Sequence, residues 1–266
     1  MNPSLELIDV IVTLINISEL GVFNDRFTEL ATTMSQFVNG YQCQECDHCF
    51  KKSPHFSHLT SEELEKLNKN RMEVTFKAGE IIYKQGTPLT HIVIINNGLG
   101  KIYIESNTHK NLILSFTKPY TLNGGVGIFI DQRHHSSLMA VQDSEACFVD
   151  IGAFREVMRS NPDFMEAYLK EFAQGVQHTY DQFAILTQKN MEGRMAEALL
   201  YLCEDIYRGE CVEFISKQDL AEITAMTKES AIRVLKQFKD DSIIENGNNT
   251  LKVLNKDALK QIALYG

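Results

Sequence analysis

The hydrophobic period of this chain changes at one dipeptide, Asn161-Pro162, and that change limits the folds open to it. Asn161 is a good helix N-cap and Pro162 suits a first helical turn. No proline follows in the remaining sequence, so a long helix can begin here. Downstream, Met165, Leu169, Phe172, Val176, Thr179, Phe183, Leu186 and Asn190 advance in steps of four and three, which sets them along one helical stripe. A stripe of this length with a polar interruption is the pattern of paired helices, and Thr179 is placed to set their register. An ordinary helix packed on its own domain is the alternative. Upstream, from Val74 to Ile151, the apolar residues form short β-rich runs: Ile81-Ile82-Tyr83, His91 to Ile95, Lys101 to Ile104 and Leu112 to Leu114, separated by glycines or by Asn and Thr. Such regular punctuation predicts an antiparallel barrel or roll. Thr60 with Glu63 forms a capping-box signature for a short helix through Leu67 that opens this domain.

A chain of 266 residues, 44% hydrophobic and 23% charged, has room for two modest domains with real cores. No uninterrupted apolar run is long enough for a membrane span, and no secretory leader pattern opens the chain, so a cytoplasmic protein is expected. The formal net charge of -9 excludes a protein that coats nucleic acid through bulk positive potential, so any DNA contact must be local. Residues 1 to 40 carry Leu5, Ile8, Ile11, Val12 and Ile15 at helical spacing, then Phe27, Leu30 and Phe37 after Gly21, which predicts two short amphipathic helices.

The segment 214–238 carries the most informative local pattern. Ser216 with Asp219 makes a capping box, and Leu220, Ala221 and Ile223 give a short helix its inward face. Thr224 to Met226 make a turn. Thr227 caps a second helix in which Ala231, Val234, Leu235 and Phe238 point to the core while Lys228, Glu229, Arg233, Lys236 and Lys239 face outward. This is a helix-turn-helix. An arginine held in the major groove can bond both guanine O6 and N7, and a nearby carboxylate can accept from cytosine N4. Arg233 and Glu229 lie four apart and share a face. Four cations against one anion between Lys228 and Lys239 give a local positive patch inside an acidic protein. Ile243-Ile244, the turn Asn246-Gly247-Asn248-Asn249 and Leu251 to Leu254 then predict a β-hairpin wing. A solvated charged helix is the bland alternative.

Six cysteines, three of them in Cys43-Gln44-Glu45-Cys46-Asp47-His48-Cys49, do not form a secreted disulfide framework; they fit a ligand cluster in a reducing compartment. Zinc on Cys43, Cys46 and Cys49 with His48, His55 or His58 fits the spacing, as does an iron-sulfur cluster, and the absence of any metal is the third option. Cys203 and Cys211 read as small buried apolar residues. His134-His135 suits a haem or metal handle less well than an exposed hairpin tip between Asp131 and Ser136. A thiol-based redox enzyme would need a catalytic base that no motif supplies and would leave the second helix of the pair unexplained, so the chain is not expected to be an enzyme.

The order of roll, heptad helix and winged helix-turn-helix resembles the Crp/Fnr superfamily of bacterial regulators over residues 56 to 260. Phe76-Lys77-Ala78-Gly79-Glu80-Ile81-Ile82-Tyr83-Lys84-Gln85-Gly86 looks like the opening roll motif, Asn97-Gly98-Leu99-Gly100-Lys101-Ile102 like its next turn and strand, and Thr227-Lys228-Glu229-Ser230-Ala231-Ile232-Arg233 like the recognition-helix motif. The resemblance implies that Glu229 and Arg233 read bases, with Lys228 assisting. Thr227, Ser230, Lys236 and Ser216 complete the expected DNA-binding set. It also implies a homodimer on double-stranded DNA that works with RNA polymerase, paired through Leu169, Phe172, Val176, Thr179, Phe183 and Leu186.

The cyclic-AMP branch holds its nucleotide with a glutamate and an arginine. The segments that resemble those motifs here, Gly124-Gly125-Val126-Gly127 and Ser136-Ser137, carry neither, which argues against cAMP. The Fnr branch senses oxygen or nitric oxide with a [4Fe-4S] cluster, and the resemblance implies Cys43, Cys46, Cys49 and Cys147 as ligands. The second gap is two residues, where the Fnr pattern has a longer one. Haem or small-molecule sensing in the roll is the alternative without a cluster. The expected fold class is α+β: a Cys-rich extension over 1–55, a cyclic-nucleotide-binding-like antiparallel β-roll over 56–160, a dimerisation helix over 161–190 and a winged helix-turn-helix over 191–266.

Overall fold

The computed structural model describes residues 56–266 except 107–109, 210 and 248–249; the two helices expected before residue 40 and Cys43, Cys46, Cys49, His48 and His55 lie outside the described residues. The described residues all belong to one compact unit, Gln44–Gly266. After a short 3-10 turn at Phe56–His58, α1 (Ser61–Asn68) starts with the expected capping box between Thr60 and Glu63. The roll follows as β1 (Met72–Phe76), β2 (Ile81–Tyr83), β3 (His91–Asn97), β4 (Gly100–Ile104), β5 (Leu112–Thr117), β6 (Leu122–Asn123), β7 (Ser137–Ala140) and β8 (Ser144–Asp150). The strands form two antiparallel four-stranded sheets, ordered β1-β8-β3-β6 and β2-β7-β4-β5.

Burial along β3 shows how the roll is covered. Ile92 to Ile95 are buried without alternation because each face has its own cover. Val93 and Ile95 meet the second sheet through Ile82, Leu138 and Ala140. Ile92 and Ile94 pack beneath Leu67, Phe154 and Val157. Phe154 and Val157 belong to α2 (Ile151–Ser160), a helix capped by the Asp150 carboxylate that the β-rich reading up to residue 151 did not reach. Gly98, at φ +99°, turns β3 into β4. A Cβ there would sit 2.2 Å from the Ser144 hydroxyl, so only glycine fits.

The second sheet contains an irregularity that decides what its outer face presents. Lys101 pairs with Phe116, Ile102 with Ser115 and Tyr103 with Ile113, so Leu114 is the extra residue of a bulge. The bulge shifts the alternation, and Tyr103, Ile113 and Phe116 all join the C-terminal core while Ile102 packs inward.

Asn161 caps α3 (Pro162–Gln188) by accepting the Phe164 N–H at 2.9 Å, and its amide donates at 2.9 Å to both the His58 carbonyl and the Glu63 carboxylate. One residue therefore fastens the long helix to α1. Lys189 and Asn190 break the chain direction before α4 (Met191–Tyr201), which continues into a π-helical turn at Leu202–Tyr207 and ends at left-handed Arg208. Then come β9 (Cys211–Glu213), α5 (Lys217–Ile223), α6 (Lys228–Asp240), β10 (Ile244–Asn246), β11 (Thr250–Val253) and α7 (Lys256–Tyr265), with the strands ordered β10-β11-β9. No helix among the described residues is long and apolar enough to cross a membrane.

The segment 131–136 is exposed, as expected, at Asp131, Gln132, Arg133 and His135, but it is not a free hairpin tip. It pairs with 86–89 through the His134 N–H to Thr87 and the Gly86 N–H to His134, and His134 is buried with its ring stacked 4.0 Å from that of Tyr83. Of the two histidines, His135 is the solvent-facing one, 3.0 Å from Asp131. A local reading of polar residues missed the pairing because the partner strand lies some forty-five residues upstream. Burial pushes the His134 pKa from 6.5 down to about 4. Between those values the unfolded chain binds a proton that the folded chain refuses, so stability is intact above pH 6.5 and falls as the pH drops toward 4. We expect a loss of about 2–3 kcal/mol across that window, measured by urea unfolding at successive pH values, and a shallower slope in His134→Phe. An identical slope in the variant would assign the effect elsewhere.

Candidate nucleic-acid interface

The helix pair is assembled by reciprocal caps and a strained turn. The Ser216 hydroxyl accepts the Asp219 N–H at 3.0 Å, while the Asp219 carboxylate accepts the Ser216 N–H at 2.9 Å and its hydroxyl at 2.6 Å. α5 buries Leu220, Ala221 and Ile223. The turn passes through Ala225 at φ +51°, a conformation that costs an L-residue of order 1 kcal/mol or more. Two bonds hold it: Met226 N–H to Ala221, and the guanidinium of Arg194 on α4 to the Thr224 carbonyl at 3.1 Å. Arg194 has no local sequence signal, because its role exists only once α4 lies against the turn.

α6 begins at Thr227, whose hydroxyl accepts the Ser230 N–H at 3.2 Å. Ala231, Val234, Leu235 and Phe238 are buried, and the absence of a side chain beyond Cβ at Ala231 lets the two helices approach. Lys228, Glu229, Arg233, Lys236 and Lys239 are exposed, Ser230 is half-buried and Ser216 is exposed at the start of α5. Glu229 and Arg233 occupy one face with nothing covering them, while the Arg233 guanidinium rests loosely 3.8 Å from the Met191 sulfur. β10 and β11 form the wing, closed by the Gly247 N–H to the Thr250 carbonyl. A rigid helix with an arginine, a carboxylate and flanking lysines turned to solvent can enter a major groove, satisfy base edges and neutralise phosphates.

Along α3 the upstream inner face is buried through Phe164 and Tyr168, whereas the heptad stripe is only partly covered. Leu169 is 48% and Phe183 70% exposed; Phe172, Val176 and Leu186 are half-buried. The Thr179 hydroxyl donates to the Gly175 carbonyl of its own helix at 2.9 Å, so its polarity is already satisfied there. Phe129 and Ile130, which the sequence reading passed over, project beside the upper stripe, with Phe129 6.2 Å from Tyr168 and 6.5 Å from Phe172 between ring centres.

In the roll, Cys147 lies on β8, buried in the cluster that contains Phe56 and Leu67. Its sulfur accepts from the Arg71 guanidinium at 3.0 Å and from the Asn96 amide at 2.8 Å. Cys203 is buried in the C-terminal core, Cys211 opens β9 and His58 is exposed. The glycine motif is shaped by packing: a Cβ on Gly127 would collide with the Arg133 carbonyl and one on Gly124 with Ile92 and Ile128. Ser137 is buried, accepting from the Gln85 N–H at 2.8 Å and donating to Glu105 at 2.5 Å. A cavity of about 370 Å³ opens between β2 and β3, beside Tyr83, His91, His134 and Phe148.

Residues 73–161 match the cyclic nucleotide-binding domain, and residues 193–262 match the Crp-like helix-turn-helix domain. Transcriptional regulatory protein btr of Bordetella pertussis is 23% identical over 206 residues, which is 76% of this chain and 84% of that protein. The cAMP-activated global transcriptional regulator CRP of Salmonella typhimurium is 23% identical over 174 residues, 64% of this chain and 83% of that one. Among solved structures, FixK2 from Bradyrhizobium japonicum superposes with a TM-score of 0.66 at 18% identity, covering 72% of this chain and 96% of its own. A Crp/Fnr-family transcriptional regulator from Thermus thermophilus gives 0.61 at 21% identity, covering 72% and 98%. With both domains matched in this order, and with a capped, solvent-facing recognition helix on the second, the chain belongs to the Crp/Fnr family of DNA-binding transcription regulators.

Proposed function

We propose that this regulator binds an inverted-repeat operator as a homodimer paired along α3, and that a [4Fe-4S] cluster on Cys43, Cys46, Cys49 and Cys147 adjusts its affinity in response to oxygen or nitric oxide. The reading rests first on α6, whose exposed face presents Glu229 and Arg233 four residues apart on a helix fixed by two caps and Arg194. Pairing through α3 would set two such helices about one DNA turn apart. It is supported by the only partly covered apolar stripe, since exposed Leu169 and Phe183 gain most from burial against an identical helix. RNA polymerase is the expected partner once the dimer is on DNA, and the position of the operator decides between activation and repression.

The signal assignment rests on the donor set around Cys147. A guanidinium and an amide both donate to this one sulfur, and the same two donors could hold it as a metal ligand. The other three cysteines lie a few residues before Phe56 in sequence, and Phe56 packs in the same cluster as Cys147. When bound, the cluster would supply a group that oxygen and nitric oxide attack. Arg71 and Asn96 would hold the fourth thiolate charge, and Leu67 and Phe56 would exclude water from it. The cAMP response for which the Salmonella relative is named has little support in this chain, whose segments resembling the nucleotide motifs carry neither the glutamate nor the arginine and whose Ser137 hydroxyl is engaged within the roll. A second reading, a small molecule or haem in the roll, is favoured by the cavity beside Tyr83, His91 and Phe148.

Selection of bound duplexes from random DNA defines the operator. Arg233→Ala should then cost about 1–3 kcal/mol and relax one base position, whereas Lys236→Ala should weaken operator and scrambled DNA alike. Equal losses on both DNAs for Arg233→Ala would remove its base-reading role. Phe183→Glu should shift the protein from dimer to monomer in sedimentation, and a dimer that survives it would place the interface away from the α3 stripe. Protein purified without oxygen should carry iron and sulfide and lose both in Cys147→Ser; metal-free wild-type protein refutes the cluster, and a haem spectrum selects the second reading.

A further inference from the structure

A lysine of the sensory roll is buried against the first helix of the DNA-reading pair. The Lys101 ammonium, on β4, lies 2.5 Å from the Asp219 carboxylate and 3.4 Å from that of Glu222, both on α5. Side-chain exposures are 12% for Lys101, 9% for Asp219 and 11% for Glu222, so all three charges sit largely out of water. The Tyr103 ring lies 5.6 Å from the ammonium. Around the triad the contact is apolar: Leu99, Tyr103, Ile113 and Phe116 of the roll share one core with Leu199, Leu220 and Val234. Further polar ties flank it, the Phe116 N–H to the Tyr201 hydroxyl at 3.1 Å and the Lys118 ammonium to the Asp205 carbonyl at 2.7 Å.

Asp219 has two duties. One carboxylate oxygen closes the Ser216 capping box and the other accepts from Lys101. The start of α5 is therefore fixed to the roll through the same side chain that fixes it to itself. Lys101 also lies close to the segment that resembles the family's ligand motif: β4 pairs with β7, Tyr103 opposite Ser137 and Lys101 opposite Met139, two positions along.

We infer that Lys101 is a positioning residue for DNA recognition, holding α5, and with it α6, at a fixed orientation on the roll, so that a change in β7 reaches the recognition helix through β4. The reasoning is electrostatic. Two nearly buried carboxylates tolerate their site because one ammonium lies between them. Without it they repel each other and seek water, and α5 lifts from the sheet and carries α6 with it. Base contacts depend on that placement to a fraction of an ångström, whereas phosphate contacts by flexible lysines do not.

The test measures affinity for the selected operator and for scrambled DNA by fluorescence anisotropy in wild type, Lys101→Met, Lys101→Arg and Lys101→Gln. Arg233→Ala serves as the control that base reading itself operates. Lys101→Met should lower operator affinity at least tenfold while scrambled-DNA affinity stays within about twofold, and Lys101→Arg, which keeps the charge, should recover most of the preference. Lys101→Gln, which keeps a donor but removes the charge and covers the case in which Lys101→Met fails to fold, should reduce the preference about threefold or more. Wild-type preference in Lys101→Met or Lys101→Gln overturns the proposal, as does equal loss on both DNAs, or failure of the folded Lys101→Arg protein to recover preference. Loss of preference in Arg233→Ala alone would leave base reading standing and remove only the positioning role of Lys101.

Discussion

The contact between the outer face of the β2-β7-β4-β5 sheet and the helices of the DNA-reading half is the constraint on which the rest depends. An antiparallel sheet usually leaves one face to solvent, but here Leu99, Tyr103, Ile113 and Phe116 are buried against α4 and α5 while the other face closes the roll. Burial of a large apolar side chain contributes about 1.5–3 kcal/mol, so four of them outweigh the exposed ion pairs of the surface, each worth about 0–1 kcal/mol. The Lys101 triad adds little net stability beside that. Its weight lies in the asymmetry of buried pairs, whose breakage costs about 3–5 kcal/mol although their formation gains far less. The apolar contact makes the two halves adhere, and the triad selects the orientation in which they do so.

Much of this architecture was legible in the sequence where its cause was local. The caps at Thr60, Asn161, Ser216 and Thr227 each need one side chain and one N–H three residues on, and all four form. The recognition-helix faces follow from a period of 3.6, which depends on nothing outside the helix. What stayed hidden depends on residues far apart. The bulge at Leu114 breaks the two-residue period, so the run Leu112 to Leu114 gives no sign that Ile113 and Phe116 face the same way. Lys101 is read from sequence only as part of a β-rich run, because its partners lie on α5, more than a hundred positions later. Ala225 adopts a left-handed conformation that favours glycine, and no residue type announced it because the bonds that hold it come from Ala221 and from Arg194.

The charge distribution has a consequence for selectivity. A protein of net charge -9 gains little from non-specific attraction to DNA, so affinity must come from a small number of placed groups. Lys228, Arg233, Lys236 and Lys239, exposed on one helix, are the groups proposed to supply it, and Glu229 among them would repel phosphate wherever the base opposite does not reward it. A weak non-specific background widens the ratio between operator and other DNA. That ratio, more than the absolute affinity, decides occupancy among many competing sites.

The same economy governs how a signal could travel. Between α3 and α4 only Lys189 and Asn190 interrupt the helices, and both are fixed: the Lys189 ammonium binds Glu197 at 2.7 Å and the Ala263 carbonyl of α7, and Asn190 caps α4 through the Gly193 N–H. A junction this short and this bonded does not bend freely, so a rotation of α3 is passed to α4 nearly whole. α4 in turn carries Arg194, which holds the turn between α5 and α6, and Tyr201, which holds the roll. The recognition helix is thus referenced twice, to the long helix through α4 and to the roll through α5. Any signal that moves the roll relative to the long helix must strain one of these references.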